Sequence, residues 1–434
     1  MLYAQAFSRI LTLKQRLQLK NFHIDSRLIQ AGDCFVALPG KQVDGCLYIQ
    51  SALAQGAKLV LSHQPFDHPD VVYLPNLADD LISLAKDIQK YRRYQTIALT
   101  GSVGKTTTRH MLYQVLSANF RVTMAYGNYN NEMGVPLTIL SANLNDDFLI
   151  LEMGAAKPGD IKYLMNIATV DLSFCLPVLP VHLANYNNFE QLVDTKSDIY
   201  RILSKQALAV IDLDQPQAGL WQSLTMARVV AIGSGGEIEL HVNDALYIVR
   251  QGQVVMSIDK QHLPSHLYLN IKMVAGVMHA LGIGFDGLKL LEKYQGLPGR
   301  LYHYLLKEIT LFDDSYNASV TSVKAAIDLL ARQPKRKILV FGSMGELGES
   351  SARYHQEIGE YANGRVDELI AVGHDAFFAH EAFCGVKKHI SETALFQDDW
   401  IKAGSAVVVK GSRFMKMERI VQLLLSKFSG EYVS

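Results

Sequence analysis

The 434-residue sequence predicts an α/β protein of three domains, and three observations carry that prediction. Short, nearly continuous apolar runs alternate with helical stretches, the pattern of parallel strands covered by helices on both faces. The length exceeds the ~250–300 residues at which a single core stops growing. A glycine-rich turn, "TGSVGKTTTRH", directly follows one apolar run and opens a helix.

The first segment, residues 1–92, contains the strand-like runs "DCFVALPG", "GAKLVLS" and "VVYLP" and the helical stretch "CLYIQSALAQGA", a small α/β module. A charged helix, "DDLISLAKDIQKYRRYQ", leads out of it, its basic face reading as a solvated connector. In the central segment, 93–300, "TIALT", "FLILEMG", "VDLSFCLPV", "ALAVID" and "RVVAIGSG" read as strands of a parallel sheet. Alternation in "EIELHV", "ALYIV" and "VVMSI" then predicts an antiparallel meander, and the helix "LNIKMVAGVMHALGI" closes the domain before a hinge at "LPGR". The last segment, 301–434, repeats strand and helix with "ITLFDDS", "KILVFGS", "ELIAVG" and "AVVVKGS", a doubly wound sheet whose strand ends carry polar residues where ligands gather.

Composition excludes several function classes. Lys plus Arg and Asp plus Glu number 42 each, so no net field draws the chain to nucleic acid or an anionic membrane. No run approaches the ~20 apolar residues of a membrane span, and the charged start carries no targeting pattern. Four cysteines, Cys34, Cys46, Cys175 and Cys384, lie far apart with no C-x-x-C pair, which argues against zinc or redox motifs and for a reduced, cytoplasmic protein.

The turn after "TIALT" is a phosphate cradle. Backbone N–H groups of residues 102–106 at a helix N-terminus favour an anion, Lys105 would neutralise β/γ oxygens, and Thr106 would ligate Mg²⁺. Leu99 stands where the common loop has its leading glycine, so this loop is tighter. Glu152, ending "FLILEMG", is either an oxygen ligand for a hard cation or a salt-bridged acid. Taken alone, His182 reads as an ordinary loop or core histidine, and Lys196 as a helix-surface lysine.

Together these residues resemble the ATP-dependent Mur ligases of peptidoglycan synthesis, whose short T-G-x-x-G-K-T loop matches residues 100–106. The likeness covers nearly the whole chain and is nearest the branch that adds D-alanyl-D-alanine. "GNYNNEMGVPLTIL", "FDDSYNAS", "SMGELG" and "VVVKGSRFMKMERIV" each resemble a segment of that branch. The resemblance implies a UDP-sugar-binding first domain, a P-loop-type central ATPase domain and a Rossmann-like C-terminal domain. It implies ATP on Gly101, Gly104, Lys105, Thr106 and Thr107, with Asn270 at the adenine and Arg300, Asp314, Tyr316 and Asn317 closing over the nucleotide. Two Mg²⁺ ions would be held by Thr106, Glu152, His182 and a carbamylated Lys196, these last three with Lys105 forming the catalytic set.

UDP-N-acetylmuramoyl-tripeptide and D-alanyl-D-alanine are the implied substrates, on Ser26, Arg27, Asn128, Asn130, Asn131, Lys410 and Arg413, in an enzyme acting as a monomer. The tripeptide carboxylate would be phosphorylated and then attacked by the dipeptide amine, with His355 and the acids of "GELGE" as base candidates by location. Leu267, Cys46, Ala184 and Val320 depart from the family pattern, which touches the adenine and uridine contacts and leaves the phosphate and metal set intact. A sister ligase adding diaminopimelate or lysine, a folylpolyglutamate-type ligase and a non-catalytic nucleotide-binding homologue are the other readings.

Overall fold

The computed structural model describes residues 2–40, 43–180, 185–261, 263 and 265–428. The chain divides into two compact units, one holding residues up to Pro180 with Asn188–Tyr294, the other built from Gln295 onward. Among the described residues the strands form sheets of four, nine and six members.

The first sheet is parallel, in the order β1 (Phe22–His23), β2 (Cys34–Ala37), β3 (Leu59–Ser62), β4 (Val71–Tyr73). The first of these is too short for a sequence pattern to announce, and it was not predicted. The other three match the apolar runs, and Phe35, Ala37, Val60 and the helix residues Ile49 and Ala52 form their core. An N-terminal helix, Leu2–Gln15, packs against β4 and against the helix Leu77–Ile88, which packs in turn on the helix Gly134–Ser141. The charged connector ends in a specific contact: Arg92 donates from Nη2 to both oxygens of Asp171, at 2.7 and 2.6 Å.

The nine-stranded sheet of the same unit contains β5 (Gln95–Thr100), β6 (Val122–Met124), β7 (Phe148–Glu152), β8 (Leu172–Cys175), β9 (Leu208–Asp212) and β10 (Arg228–Ile232). The predicted meander follows as β11 (Ile238–Val242), β12 (Leu246–Arg250) and β13 (Gln253–Ile258), antiparallel to one another. Strand order is β13-β12-β11-β10-β9-β8-β5-β7-β6. Thus β5 lies between β8 and β7, with Leu99 opposite Glu152 and Thr100 opposite Cys175. That register alone places the glycine turn beside Glu152. Helix Tyr268–Ala280 is buried nearly all round, as an apolar helix must be. It approaches the sheet so closely that a Cβ on Gly276 would lie 2.8 Å from Ile232 Cγ2.

In the second unit the order is β14 (Tyr302–Leu305), β15 (Thr310–Asp314), β19 (Ser405–Lys410), β16 (Arg336–Gly342), β17 (Glu368–Val372), β18 (Val386–Ile390). Only β14 runs antiparallel. Alternate strand residues enter two cores: Leu339, Phe341 and Val408 on one face, Ile338, Val340 and Val407 on the other. Both faces are therefore covered, as the doubly wound prediction requires. The chain returns to insert β19 between β15 and β16, so the ends of these three strands, carrying Asp314, Lys410 and Gly342, converge.

Candidate active site

The turn after β5 is shaped by two glycines with positive φ, Gly101 at 149° and Gly104 at 79°. A Cβ on Gly101 would sit 2.6 Å from Leu176 Cβ and one on Gly104 2.9 Å from Asn270 Nδ2, so both positions need glycine sterically as well. Ser102 ties the turn to the segment after β8, its N–H donating to Pro177 O at 2.9 Å and its hydroxyl to Leu179 O at 3.1 Å. Helix Lys105–Ser117 starts immediately, with Gly104 as its N-cap. The helix dipole, positive at this end, thus faces whatever the turn encloses.

Two lysines converge here. Lys105 Nζ donates to the carbonyl oxygen of Gly101 at 2.8 Å, and Lys196 Nζ donates to the same oxygen at 3.0 Å. Lys196, read alone as a surface residue, is 3 % exposed. Helix Phe189–Arg201 turns it inward along with Leu192, Val193 and Tyr200, and the Tyr200 hydroxyl fixes that helix by donating to Val210 O at 2.8 Å while accepting from Cys175 N. Burial first, and then the Lys105 charge, push the Lys196 ammonium down to about 7. Thr107 lies on the same helix start as Lys105 and Thr106.

Glu152 is 2 % exposed at the end of β7. Its Oε1 accepts from Thr106 Oγ1 at 3.3 Å and from Asn130 Nδ2 at 2.9 Å. Its Oε2 accepts no hydrogen bond among the described residues and lies 3.3 Å from Arg109 Nη1. A buried carboxylate with one oxygen on a threonine hydroxyl and the other accepting no hydrogen bond fits a hard cation, so the residues present suit Mg²⁺. Arg109 itself escaped the sequence reading. It lies three residues after Thr106 on the same helical face, and a charge on that buried face was the available signal. His182 lies outside the described residues.

Asn270 donates to Thr108 Oγ1 at 2.7 Å and to Gly104 O at 3.3 Å, bracing the back of the turn. Asn131 Oδ1 accepts at 2.9 Å from the N–H of Gly134, the first residue of the helix Gly134–Ser141, while Asn128 is exposed. Ser26 is buried in the short turn after β1. Arg27, beside it, projects with its side chain 87 % exposed and pairs only locally, its Nη2 2.6 Å from Asp25 Oδ2.

In the second unit, Lys410 and Asp314 face each other across β19 and β15, Nζ to Oδ2 at 2.5 Å, and Lys410 also donates to Asn317 O at 2.9 Å. Burial pushes the Asp314 carboxyl up against the opposing pull of Lys410. The Arg300 guanidinium lies 4.0 Å from the Tyr316 ring centroid, with Arg413 on the same ring at 5.7 Å. Asp313, which the sequence reading passed over, accepts from Gly299 N at 2.8 Å and so holds this group together. His355 is fully buried: Nε2 accepts from Met344 N and Nδ1 donates to Ser351 O, both at 2.8 Å. With both nitrogens engaged it is a structural histidine rather than a base for an incoming amine. Glu346 and Glu349 of "GELGE" are exposed.

Three domain descriptions match the chain: "Mur ligase family, catalytic domain" over residues 18–90, "Mur ligase middle domain" over 99–275 and "Mur ligase, glutamate ligase domain" over 299–413. A curated relative from Haemophilus influenzae, UDP-N-acetylmuramoyl-tripeptide--D-alanyl-D-alanine ligase, is 28 % identical over 98 % of this chain and 97 % of its own. Among solved structures, MurF from Acinetobacter baumannii superposes with a TM-score of 0.79 at 27 % identity, covering 94 % of each chain. MurF from Thermotoga maritima, in complex with ADP, gives 0.77 at 28 % identity, covering 95 % of this chain and 98 % of that one.

Proposed function

The chain belongs to the Mur ligase family, and from that premise we propose that it uses ATP to join D-alanyl-D-alanine to UDP-N-acetylmuramoyl-tripeptide. The observation that carries the reading is the pair of lysines, Lys105 and Lys196, whose Nζ atoms meet on one carbonyl oxygen at the start of a helix. The Lys105 ammonium and the positive end of the helix both attract anions.

The tripeptide carboxylate attacks the γ-phosphorus of ATP; an O–P bond forms, the bond to the β-phosphate oxygen breaks, and ADP leaves with that electron pair. The dipeptide amine then adds to the acyl carbon, loses its proton, and expels phosphate. Such chemistry needs neutralised charge and held geometry more than an enzymic nucleophile. Gly101 and Gly104 shape the turn, Lys105 neutralises β/γ oxygens, and the helix N-terminus, with Thr107 in its first turn, orients them. Thr106 and Glu152 would hold Mg²⁺, with His182 assigned to the set by resemblance. The cation supplies charge neutralisation to the phosphates when bound.

Lys196, its proton affinity lowered by burial, offers a neutral amine to CO₂; the N–C bond forms, one proton leaves, and a carbamate oxygen ligand results. Asn130 orients Glu152. Asn270, Arg300, Asp314, Tyr316 and Asn317 are proposed nucleotide contacts, and Ser26, Arg27, Asn128, Asn131, Lys410 and Arg413 contacts to the other substrates. The proposed domains are 1–92, 93–300 and 301–434, in a cytoplasmic monomer. No helix among the described residues is long and apolar enough to cross a membrane.

The test is phosphate release by the purified protein with ATP, Mg²⁺ and UDP-N-acetylmuramoyl-tripeptide, offered D-alanyl-D-alanine, diaminopimelate, lysine or nothing. Release that needs both tripeptide and dipeptide, with a UDP-pentapeptide product, supports the proposal. Release with diaminopimelate or lysine instead moves the chain to a sister ligase, and ATP binding without release in any combination moves it to a non-catalytic homologue.

A further inference from the structure

The wide spacing of the cysteines argued against a metal-binding thiol, but the first sheet brings one of them to two other ligand types. Asp44 and Cys46 flank Gly45 in the turn after β2, and His63 follows the last residue of β3. Since β2 and β3 are parallel neighbours, both segments emerge at the same sheet edge, the carboxyl edge where ligands collect in α/β sheets. Gly45 lets the turn close: its N–H donates to Leu38 O at 2.9 Å, and a Cβ there would lie 2.8 Å from that oxygen.

A carboxylate oxygen of Asp44, the Cys46 Sγ and a ring nitrogen of His63 all lie within 4.8 Å of one another. His63 Nε2 is 3.0 Å from Asp44 Oδ1, which also accepts from Cys46 N at 2.8 Å. Gln64 Nε2 donates to Asp44 Oδ2 at 3.0 Å, fixing the carboxylate from its other side. Cys46 Sγ is 3.4 Å from Ser62 Oγ. All three ligand residues are half-buried, so an ion can reach them.

We propose that Asp44, Cys46 and His63 form a binding site for Zn²⁺, separate from the phosphate turn and its Mg²⁺ ligands. Tetrahedral zinc, with bonds of about 2.0 Å to N and O and 2.3 Å to S, holds its ligands roughly 3.3–3.5 Å apart. The Asp44–His63 pair is already inside that spacing, and a modest rotation of the Cys46 side chain supplies the third contact. A thiolate with an imidazole and one carboxylate selects zinc over magnesium, which demands oxygen ligands. On binding, the Cys46 S–H bond breaks, the S–Zn bond forms and the proton passes to water. Three protein ligands leave a fourth position open, for water or an oxygen of a bound anion.

The experiment uses the full chain stripped with a chelator. Zinc titration should show one equivalent whose affinity falls at least about tenfold to a hundredfold in Cys46→Ala and in His63→Ala, both checked for fold by circular dichroism. Co²⁺ in place of zinc should give a near-ultraviolet thiolate-to-cobalt band that Cys46→Ser lacks. In the unaltered protein, Zn²⁺ but not Mg²⁺ should protect Cys46 from alkylation, read peptide by peptide, while the exposed Cys384 reacts at its usual rate. No zinc uptake, uptake that survives both alanine variants, or alkylation of Cys46 indifferent to zinc would each overturn the proposal.

Discussion

The end of the nine-stranded sheet and the seam between the N-terminal helix and the segment after helix Gly134–Ser141 each bury a lysine, and the two lysines are alike in almost every local respect. Lys196 is 3 % exposed and Lys14 is 2 % exposed. Each donates to one backbone carbonyl, Lys196 to Gly101 O at 3.0 Å and Lys14 to Ala142 O at 2.8 Å. Burial lowers the proton affinity of both, to about 7. What differs is the company: a second lysine shares the carbonyl of Lys196, whereas Lys14 lies 5.6 Å from the Phe22 ring centroid, with the charge of Asp146 acting on it. A perturbed lysine therefore marks a functional site only where its neighbours also call for a ligand.

The largest expected effect breaks the likeness outright. Lys196→Ala should lower kcat by roughly 10²–10³-fold, the scale of losing one preorganised charge-stabilising group. Lys14→Met should leave kcat within about twofold, because a buried lysine remote from the phosphate turn touches no substrate. Steady-state phosphate release measures both; equal losses in the two variants would remove the distinction drawn between the sites.

Next in size is the carboxylate beside Thr106. Glu152→Gln keeps an acceptor for Thr106 and Asn130 but takes the negative charge away from the buried Arg109, and breaking a buried ion pair from one side costs about 3–5 kcal/mol. Urea unfolding should show that loss, and calorimetric titration should show weaker Mg²⁺ uptake in the presence of an ATP analogue. Unchanged stability would mean that Arg109 is fully served by its bond to Gly127 O and its other contacts.

Arg27 sharpens the contrast from the other side, since this charge is placed in solvent rather than buried. Arg27→Ala should raise KM for the nucleotide-sugar about tenfold, the worth of one hydrogen bond to a charged group. Stability should change by no more than about 0.5 kcal/mol, as for other exposed positions. A loss of kcat at unchanged KM would count against the assigned role.

Much of this was readable beforehand because it rests on local chemistry. The glycine turn, the strand ending in Glu152 and the meander announce themselves by period and by residues that only certain φ values admit. The inward turn of Lys196 was not readable from its helix, because Thr195, Lys196 and Ser197 are polar and the apolar residues around them mark only part of a buried face that extends further. The pairing of Arg109 with Glu152 and of Asp44 with His63 depends on strand order, which a linear pattern leaves undetermined. Strands β1, β6, β14 and β18 were missed for simpler reasons: two are only two or three residues long, and the other two carry lysines, histidines and tyrosines that dilute the apolar signal.

A pH-dependent effect isolates Lys14 itself. An unfolded lysine holds its proton to about pH 10.4, whereas the folded chain releases the Lys14 proton near 7. Between those values the unfolded state binds the extra proton, so stability rises with pH by up to about 1.4 kcal/mol per unit; below about 7 both states are protonated and the contribution is flat. The charges acting on Lys14 are Asp146, beyond the helix Gly134–Ser141, and Cys34 on β2, and both oppose the effect of burial without cancelling it. Lys14→Met removes the group and with it that slope. Urea-unfolding free energies at pH 7.5, 8.5 and 9.5 should therefore converge between wild type and variant as pH rises, the variant gaining most at the lowest pH. Parallel profiles would show that Lys14 keeps its proton when folded, and that the Ala142 carbonyl and Asp146 compensate a buried ammonium more fully than burial alone would suggest.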